Sequence, residues 1–284
     1  MYNNKFCIGD LMPYFNTGEV DLFYETFGSG DEYIVFLNGV MMNTDTWHSQ
    51  AQALQHSYNI LLSDFRGQGR SSKPDIPYSF EMHADDLKKL LDDLGIEKAH
   101  FVGTSYGAEV GMHFALRYPQ SVKSLVLATA VSESDYLLKQ KIETWKIAAK
   151  HALKLGKQAK FDFFHTCAPL NFSSEYLEKH PNFIDDMSSV LAATQDNWFT
   201  AFIRLCECFQ QLDITKELNK IDIPTLIIAA EYDDLKTVRY SSILSNEIKN
   251  SESVIVMNAG HSMVIENSAE FLTCVMGFIG KVKG

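Results

Sequence analysis

The sequence predicts an α/β protein with a mostly parallel central sheet, helices on both of its faces and an inserted helical cap. Short apolar runs rich in β-branched residues alternate with amphipathic stretches of helical period, the pattern of strand–helix–strand units. The central runs are apolar at every position, as expected of strands covered on both sides. One long stretch, residues 131–213, contains no such run and keeps a helical period.

Residues 11–16 and 20–27 read as an opening hairpin, with Thr17 and Gly18 at its turn and Gly28, Ser29 and Gly30 ending it. Tyr33–Leu37 (YIVFL) and Asn59–Ser63 (NILLS) follow as buried strands, then residues 99–102, 124–128 and 225–229. Residues 254–257 (VIVM) complete this series. Helices are expected at 45–56, 80–94, 106–118, 237–248 and 268–279. Within the insertion, Leu138, Ile142, Trp145, Ala149 and Leu153 recur at helical spacing. Connections between sheet strands are normally far shorter than this stretch. The expected organisation is a core domain of residues 1–130 and 214–284 carrying a helical cap, or lid, of residues 131–213.

Composition narrows the function. The 284 residues carry 36 acidic and 25 basic side chains, a formal net charge of −11. A nucleic-acid-binding protein needs a basic footprint, so no nucleic-acid partner is expected. The five cysteines (Cys7, Cys167, Cys206, Cys208 and Cys274) are odd in number and contain no CxxC pair. Neither a disulfide framework nor a zinc knuckle fits them. Residues 1–10 are polar, and no apolar run approaches the ~18–20 residues of a membrane span. A cytoplasmic protein without stable membrane insertion is expected; monomer and homodimer both stay open.

Three residues that follow strands carry the chemistry. Gly103, Ser105 and Gly107 form G-x-S-x-G between a predicted strand and a predicted helix. A serine on so tight a turn projects its hydroxyl above the sheet, and glycines two residues to either side remove side-chain collisions. A serine hydroxyl is a poor nucleophile until an imidazole within reach takes its proton. His261 follows the last strand on a turn made by Gly260. The 225–229 strand runs into Glu231, Asp233 and Asp234, three carboxylates able to fix the imidazole tautomer. Asp233 is the first choice and Asp234 the next. The expected catalytic set is Ser105, Asp233 and His261, in the nucleophile–acid–base chain order of the α/β-hydrolase fold.

Charge developing on a carbonyl oxygen needs two N–H donors. One is expected from Tyr106, directly after the serine. The other is expected from Val40, with Met41 as the alternative, in the loop that begins Asn38-Gly39. Asn38, Gly39 and Met41 are expected to support that loop. No metal and no cofactor is implied.

These residues resemble the cap-bearing α/β-hydrolase superfamily. The resemblance extends over Asn38-Gly39, the stretch Asp64-x-Arg66-Gly67-x-Gly69-x-Ser71, the G-x-S-x-G turn, the acid loop and Gly260-His261. Among its branches the chain looks most like small carboxylesterases and 3-oxoadipate enol-lactonases. It implies hydrolysis of a small-molecule ester or lactone through an acyl-enzyme. Carbon–carbon hydrolysis of β-diketone-like substrates with the same residues, and a non-enzymatic ligand receptor on this fold, are the alternatives. Where the family usually has His-Gly, this chain has Asn38-Gly39, and asparagine still hydrogen-bonds a loop. Family members with an aspartate nucleophile are set aside by Ser105.

Other features read as structural. Asp64 to Ser72 lacks the Gly-Lys-Ser/Thr ending of a phosphate loop and reads as a turn buttressing the core. Between Lys139 and Lys160 there are seven lysines against Glu143 alone. Lys139, Lys146, Lys150, Lys154 and Lys157 read as a solvated face, with attraction of acidic substrates or an anionic surface as the alternative. Phe161, Phe163, Phe164, Trp198 and Phe202 read as core of the inserted segment.

Overall fold

The computed structural model describes residues 13–283. Leu11 and Met12 of the expected first strand, the polar segment 1–10 and Cys7 lie outside the described residues. The strands are β1 (Tyr14–Asn16), β2 (Asp21–Phe27), β3 (Tyr33–Leu37), β4 (Asn59–Ser63), β5 (Ala99–Thr104), β6 (Val122–Ala128), β7 (Thr225–Ala230) and β8 (Ser251–Val256). They form one sheet in the order β1-β2-β4-β3-β5-β6-β7-β8. The opening hairpin is antiparallel, β2 joins β4 antiparallel, and every pairing from β3 to β8 is parallel.

Alternation along each strand makes the two faces. Val35 and Leu37 of β3, Phe101 of β5 and Leu125 and Leu127 of β6 enter one apolar cluster. Ile34, Phe36, Val102, Val126 and Ala128 enter the other. The first face is covered by α2 (Phe80–Asp93), α3 (Tyr106–Arg117) and α9 (Val238–Glu247), the second by α1 (His48–Leu54) and α11 (Ser268–Lys283). Central strands are therefore apolar on both sides, which is why their limits are so legible in sequence.

Two expectations need correction. The last strand begins at Ser251, not Val254, and is not buried on both faces: Ile255 is 45% exposed and Val256 fully buried. It is the sheet edge, so one face meets solvent. The helix expected at 45–56 starts as a 3₁₀ turn, Thr44–Trp47, before α1 takes over.

Between β6 and β7 lie α4 (Tyr136–Leu155), α5 (Lys157–Asn171), α6 (Ser174–Lys179), α7 (Phe183–Ala192) and α8 (Asp196–Gln210). The chain leaves and re-enters the sheet at one neck. Glu133 bridges Asp213 antiparallel, Ser134 N–H donates to Leu212 O at 2.9 Å and Ile214 N–H to Ser132 O at 2.9 Å. Leu138, Ile142, Trp145 and Ala149 are buried, as their spacing predicts. Phe163 meets Trp198, Phe199 and Phe202 edge-on at 5.1–5.9 Å, a favoured aromatic geometry. Of the lysine face, Lys146 departs: it is buried and donates to Glu143 Oε2 and Gln210 Oε1, both at 2.9 Å.

The Asp64 to Ser72 stretch is a polar knot. Asp64 accepts from the Thr44 and Arg70 N–H groups, each at 2.8 Å, and from Asn38 Nδ2 at 3.2 Å. The buried Arg66 forks onto Asp86 of α2 at 2.6 and 2.8 Å. Beside that pair, His83 of α2 is fully buried, with Nε2 2.9 Å from the Tyr106 hydroxyl. Burial first, then the Arg66 and His113 charges, push the His83 imidazole down to about 3.

That depression destabilises the fold in acid. Unfolded, the imidazole takes its proton near pH ~6.5. Below that pH only the unfolded state gains the proton, so stability falls steadily toward pH 3. Replacing His83→Gln keeps a polar group beside Tyr106 and removes this titration. The stability difference between wild type and variant is expected to change by about 1.4 kcal/mol per pH unit between pH 6 and 4, with the variant less acid-sensitive. Urea unfolding at each pH measures it; parallel curves would contradict the assignment.

Candidate active site

Ser105 stands between the end of β5 and the start of α3 with φ 51° and ψ −121°, a strained conformation for a residue with a side chain. Its N–H donates to Ala128 O of β6 at 2.8 Å, and its carbonyl accepts from Ala108 N–H at 2.9 Å. The two flanking glycines are needed for different reasons. A Cβ on Gly103 would come within 2.7 Å of the Ala108 backbone. One on Gly107 would overlap the Leu37 and Asn38 carbonyls at the end of β3. The second glycine thus answers to the neighbouring strand and not, as the turn alone implies, to its partner in the motif.

His261 and Asp233 reach the same point from the ends of β8 and β7. His261 Nε2 lies 2.9 Å from Ser105 Oγ, and His261 Nδ1 lies 2.8 Å from Asp233 Oδ2. All three residues are buried. The other Asp233 oxygen accepts the Leu235 and Lys236 N–H groups at 2.9 and 2.6 Å. Of the competing carboxylates, Asp234 is exposed, and Glu231 is engaged in accepting the Asn258 N–H at 2.9 Å. The histidine loop is held from two directions. Gly260 N–H donates to Glu266 Oε2 at 3.0 Å, and Ser262 N–H donates to Asn171 O of α5 at 2.8 Å.

The loop after β3 forms a tight turn, closed by Met42 N–H donating to Gly39 O at 3.1 Å. Val40 and Met41 occupy its two central positions, and Val40 lines the space beside Ser105. Gln68 Nε2 donates to Gly39 O at 2.9 Å and fixes the turn from behind. Asn38 is fully buried: it donates to Ser63 O at 3.1 Å and accepts from Trp47 Nε1 at 2.9 Å. It ties the loop to β4 and to the Asp64 knot. Tyr106 opens α3, where the first N–H groups have no partner within the helix. The positive end of the helix dipole lies there too.

Ser105 opens onto two unequal spaces. The larger, about 370 Å³, is bordered by His261, Phe164, Phe172, Phe183, Met187 and Ile265. The smaller, about 20 Å³, is bordered by Tyr106, Ile142, Trp145, Cys206, Phe209 and Lys236. Phe164, expected as core, is therefore also a wall of the site.

Several residues at the site were not expected from sequence. The most consequential are Glu109 and Lys236, both buried and joined at 2.8 and 2.9 Å. Lys236 belongs to the turn that holds Asp233, and Glu109 lies one helical turn beyond Ser105. The pair fastens the acid loop to the helix of the serine. Burial pushes the Glu109 carboxyl up, opposed by the Lys236 charge. A charged residue among the apolar and small residues of α3 is the one sequence signal for it. Among the described residues, Glu25, Asp45 and His48 alone bring three potential metal ligands together. The Arg70 guanidinium already pairs with Asp45 at 2.7 Å.

The alpha/beta hydrolase fold model matches residues 32–268. The chain belongs to the alpha/beta hydrolase fold family. 3-Oxoadipate enol-lactonase 2 of Acinetobacter baylyi is 28% identical over 254 residues, covering 89% of this chain and 91% of that protein. A putative carbamate hydrolase of Azorhizobium caulinodans is 28% identical over 272 residues, covering 95% and 99%. An alpha/beta hydrolase enzyme from a Medee basin deep-sea metagenome library superimposes with a TM-score of 0.88 at 31% identity, covering 94% of this chain and 97% of that one. As a member of this hydrolase family the protein is an enzyme.

The Glu109–Lys236 pair carries a measurable consequence. Glu109→Gln leaves a buried ammonium without its counter-ion, which costs about 3–5 kcal/mol. Replacing both residues, Glu109→Gln with Lys236→Met, is expected to recover most of that loss in urea unfolding. A single variant as stable as wild type would contradict the burial of a charged pair.

Proposed function

We propose that the protein is a serine hydrolase that cleaves a small-to-medium carboxylic ester or lactone through an acyl-enzyme. The observation that carries this is the unbroken chain from Ser105 Oγ to His261 Nε2 (2.9 Å) and from His261 Nδ1 to Asp233 Oδ2 (2.8 Å). As Ser105 attacks the carbonyl carbon, His261 takes the hydroxyl proton and Asp233 stabilises the imidazolium. The two N–H bonds to the other Asp233 oxygen keep that carboxylate turned toward the ring. The negative oxygen of the tetrahedral intermediate is received by the N–H groups of Tyr106 and of Val40, the latter with Met41 as alternative. His261 returns its proton to the leaving oxygen, the carbon–oxygen bond breaks, and the acyl group stays on Ser105. Water deprotonated by His261 then releases the acid.

Residues 131–213 act in this reading as a cap that roofs the site. The walls supplied by Ile142, Trp145, Phe164 and Phe172 support it. Enol-lactone and carbamate substrates, named for the two relatives, each present a carbonyl to such a serine. Among the described residues no helix is long and apolar enough to cross a membrane, and Cys167, Cys206 and Cys208 are free thiols. The reading includes a cytoplasmic enzyme, in keeping with reduced cysteines.

Ser105→Ala is expected to lower kcat/KM for 4-nitrophenyl acetate by at least ~10³-fold while the urea midpoint stays near wild type. Retained turnover in a folded Ser105→Ala protein would refute the assignment.

A further inference from the structure

The two spaces at Ser105 differ in more than volume, and the chemistry of the leaving group tells them apart. His261 borders the large space and does not border the small one. The imidazole must hand its proton to the oxygen that departs, so that oxygen has to lie within hydrogen-bond reach of Nε2. The alcohol side of an ester therefore occupies the large space. The acyl side is left with the small one, at the start of α3 under Ile142, Trp145 and Phe209. The water of the second half-reaction arrives at His261 through the large space, once the alcohol has gone.

We infer that the enzyme selects esters with a short, uncharged acyl group, acetyl or propanoyl, on a bulky apolar alcohol. This rests on the acyl-enzyme reading above. A space of about 20 Å³ holds one or two water-sized groups. The walls are buried: Trp145, Cys206 and Tyr106 are each at most 2% exposed. A longer chain pressed against these walls crowds close-packed side chains, which is unfavourable. Among the described residues Lys236 is the cation at that wall, and it is already neutralised by Glu109 at 2.8 and 2.9 Å. Its ammonium also lies 4.7 Å from the centre of the Phe209 ring. A dicarboxylic acyl group would add a second anion to a pair that is already balanced, with no further cation on this wall among the described residues. The opposite space, walled by Phe164, Phe172, Phe183 and Met187, favours an aromatic or branched aliphatic alcohol. In the reaction the Ser105 Oγ–acyl bond forms first, giving the tetrahedral intermediate, and the acyl–oxygen bond to the alcohol then breaks, with the proton passing from Oγ through His261 to the alcohol oxygen.

The test is an ester panel with purified wild-type protein. On a constant 4-nitrophenol leaving group, kcat/KM is expected to fall by about tenfold or more from acetyl to hexanoyl. On a constant acetyl group, benzyl acetate is expected to exceed ethyl acetate by a similar factor. Ile142→Ala, which enlarges the small space, is expected to narrow the hexanoyl penalty by about fivefold or more. Wild-type rates that rise with acyl length, or that ignore alcohol size, overturn the inference, and they do so whether or not the variant folds. No turnover of any ester, with Ser105 unlabelled by a fluorophosphonate, would instead overturn the hydrolase reading on which it rests.

Discussion

Ser105 is held where its backbone does not prefer to be, and the surrounding architecture is arranged around that constraint. Its φ of 51° is sustained by an N–H bond to β6, by the contact of α3 with the end of β3 across Gly107, and by the burial of Tyr106. Strain of this kind costs on the order of 1–3 kcal/mol and persists only where neighbours over-determine it. The return is geometric: the hydroxyl and the first N–H groups of α3 face the same small volume.

The second requirement is that two loops from different strands meet this serine with little freedom. β7 and β8 are parallel neighbours at the sheet edge, so Asp233 and His261 emerge side by side. Each loop is then fixed by partners outside itself. Glu109 holds Lys236 beside Asp233, and Asn171 of the inserted helices holds Ser262 beside His261. The inserted helices thus border the space at Ser105 and also brace the histidine. Gln68 and Asn38 play the same part for the Val40 turn. Positioning of this order is worth several kcal/mol in a reaction barrier.

Much of this was legible in the sequence, for local reasons. β3 and β4 lie inside the sheet with helices on both sides, so their apolar runs begin and end where the strands do. The serine follows β5 directly, and Asp233 and His261 lie on the loops after β7 and β8, so their convergence follows from the parallel order. β8 was misplaced because an edge strand alternates with solvent, and only its apolar end reads as strand. Lys146 was assigned to a solvated face because helical spacing places it near exposed lysines, while its partner Gln210 comes from a distant helix. Glu109 and Lys236 are 127 residues apart, and no local pattern announces such a pair. Asn38 shows the opposite case, where the expected loop support is made with a different side chain.

In the mechanism we propose, the imidazole of His261, oriented by Asp233, activates the hydroxyl of Ser105. Fluorophosphonate labelling followed by peptide mapping tests it most directly, because the reagent reacts with an activated serine whatever the natural substrate. One adduct is expected, on Ser105, with labelling slowed by about 10³–10⁴ in Asp233→Asn. An adduct on another residue, or a rate untouched by the aspartate change, would contradict it.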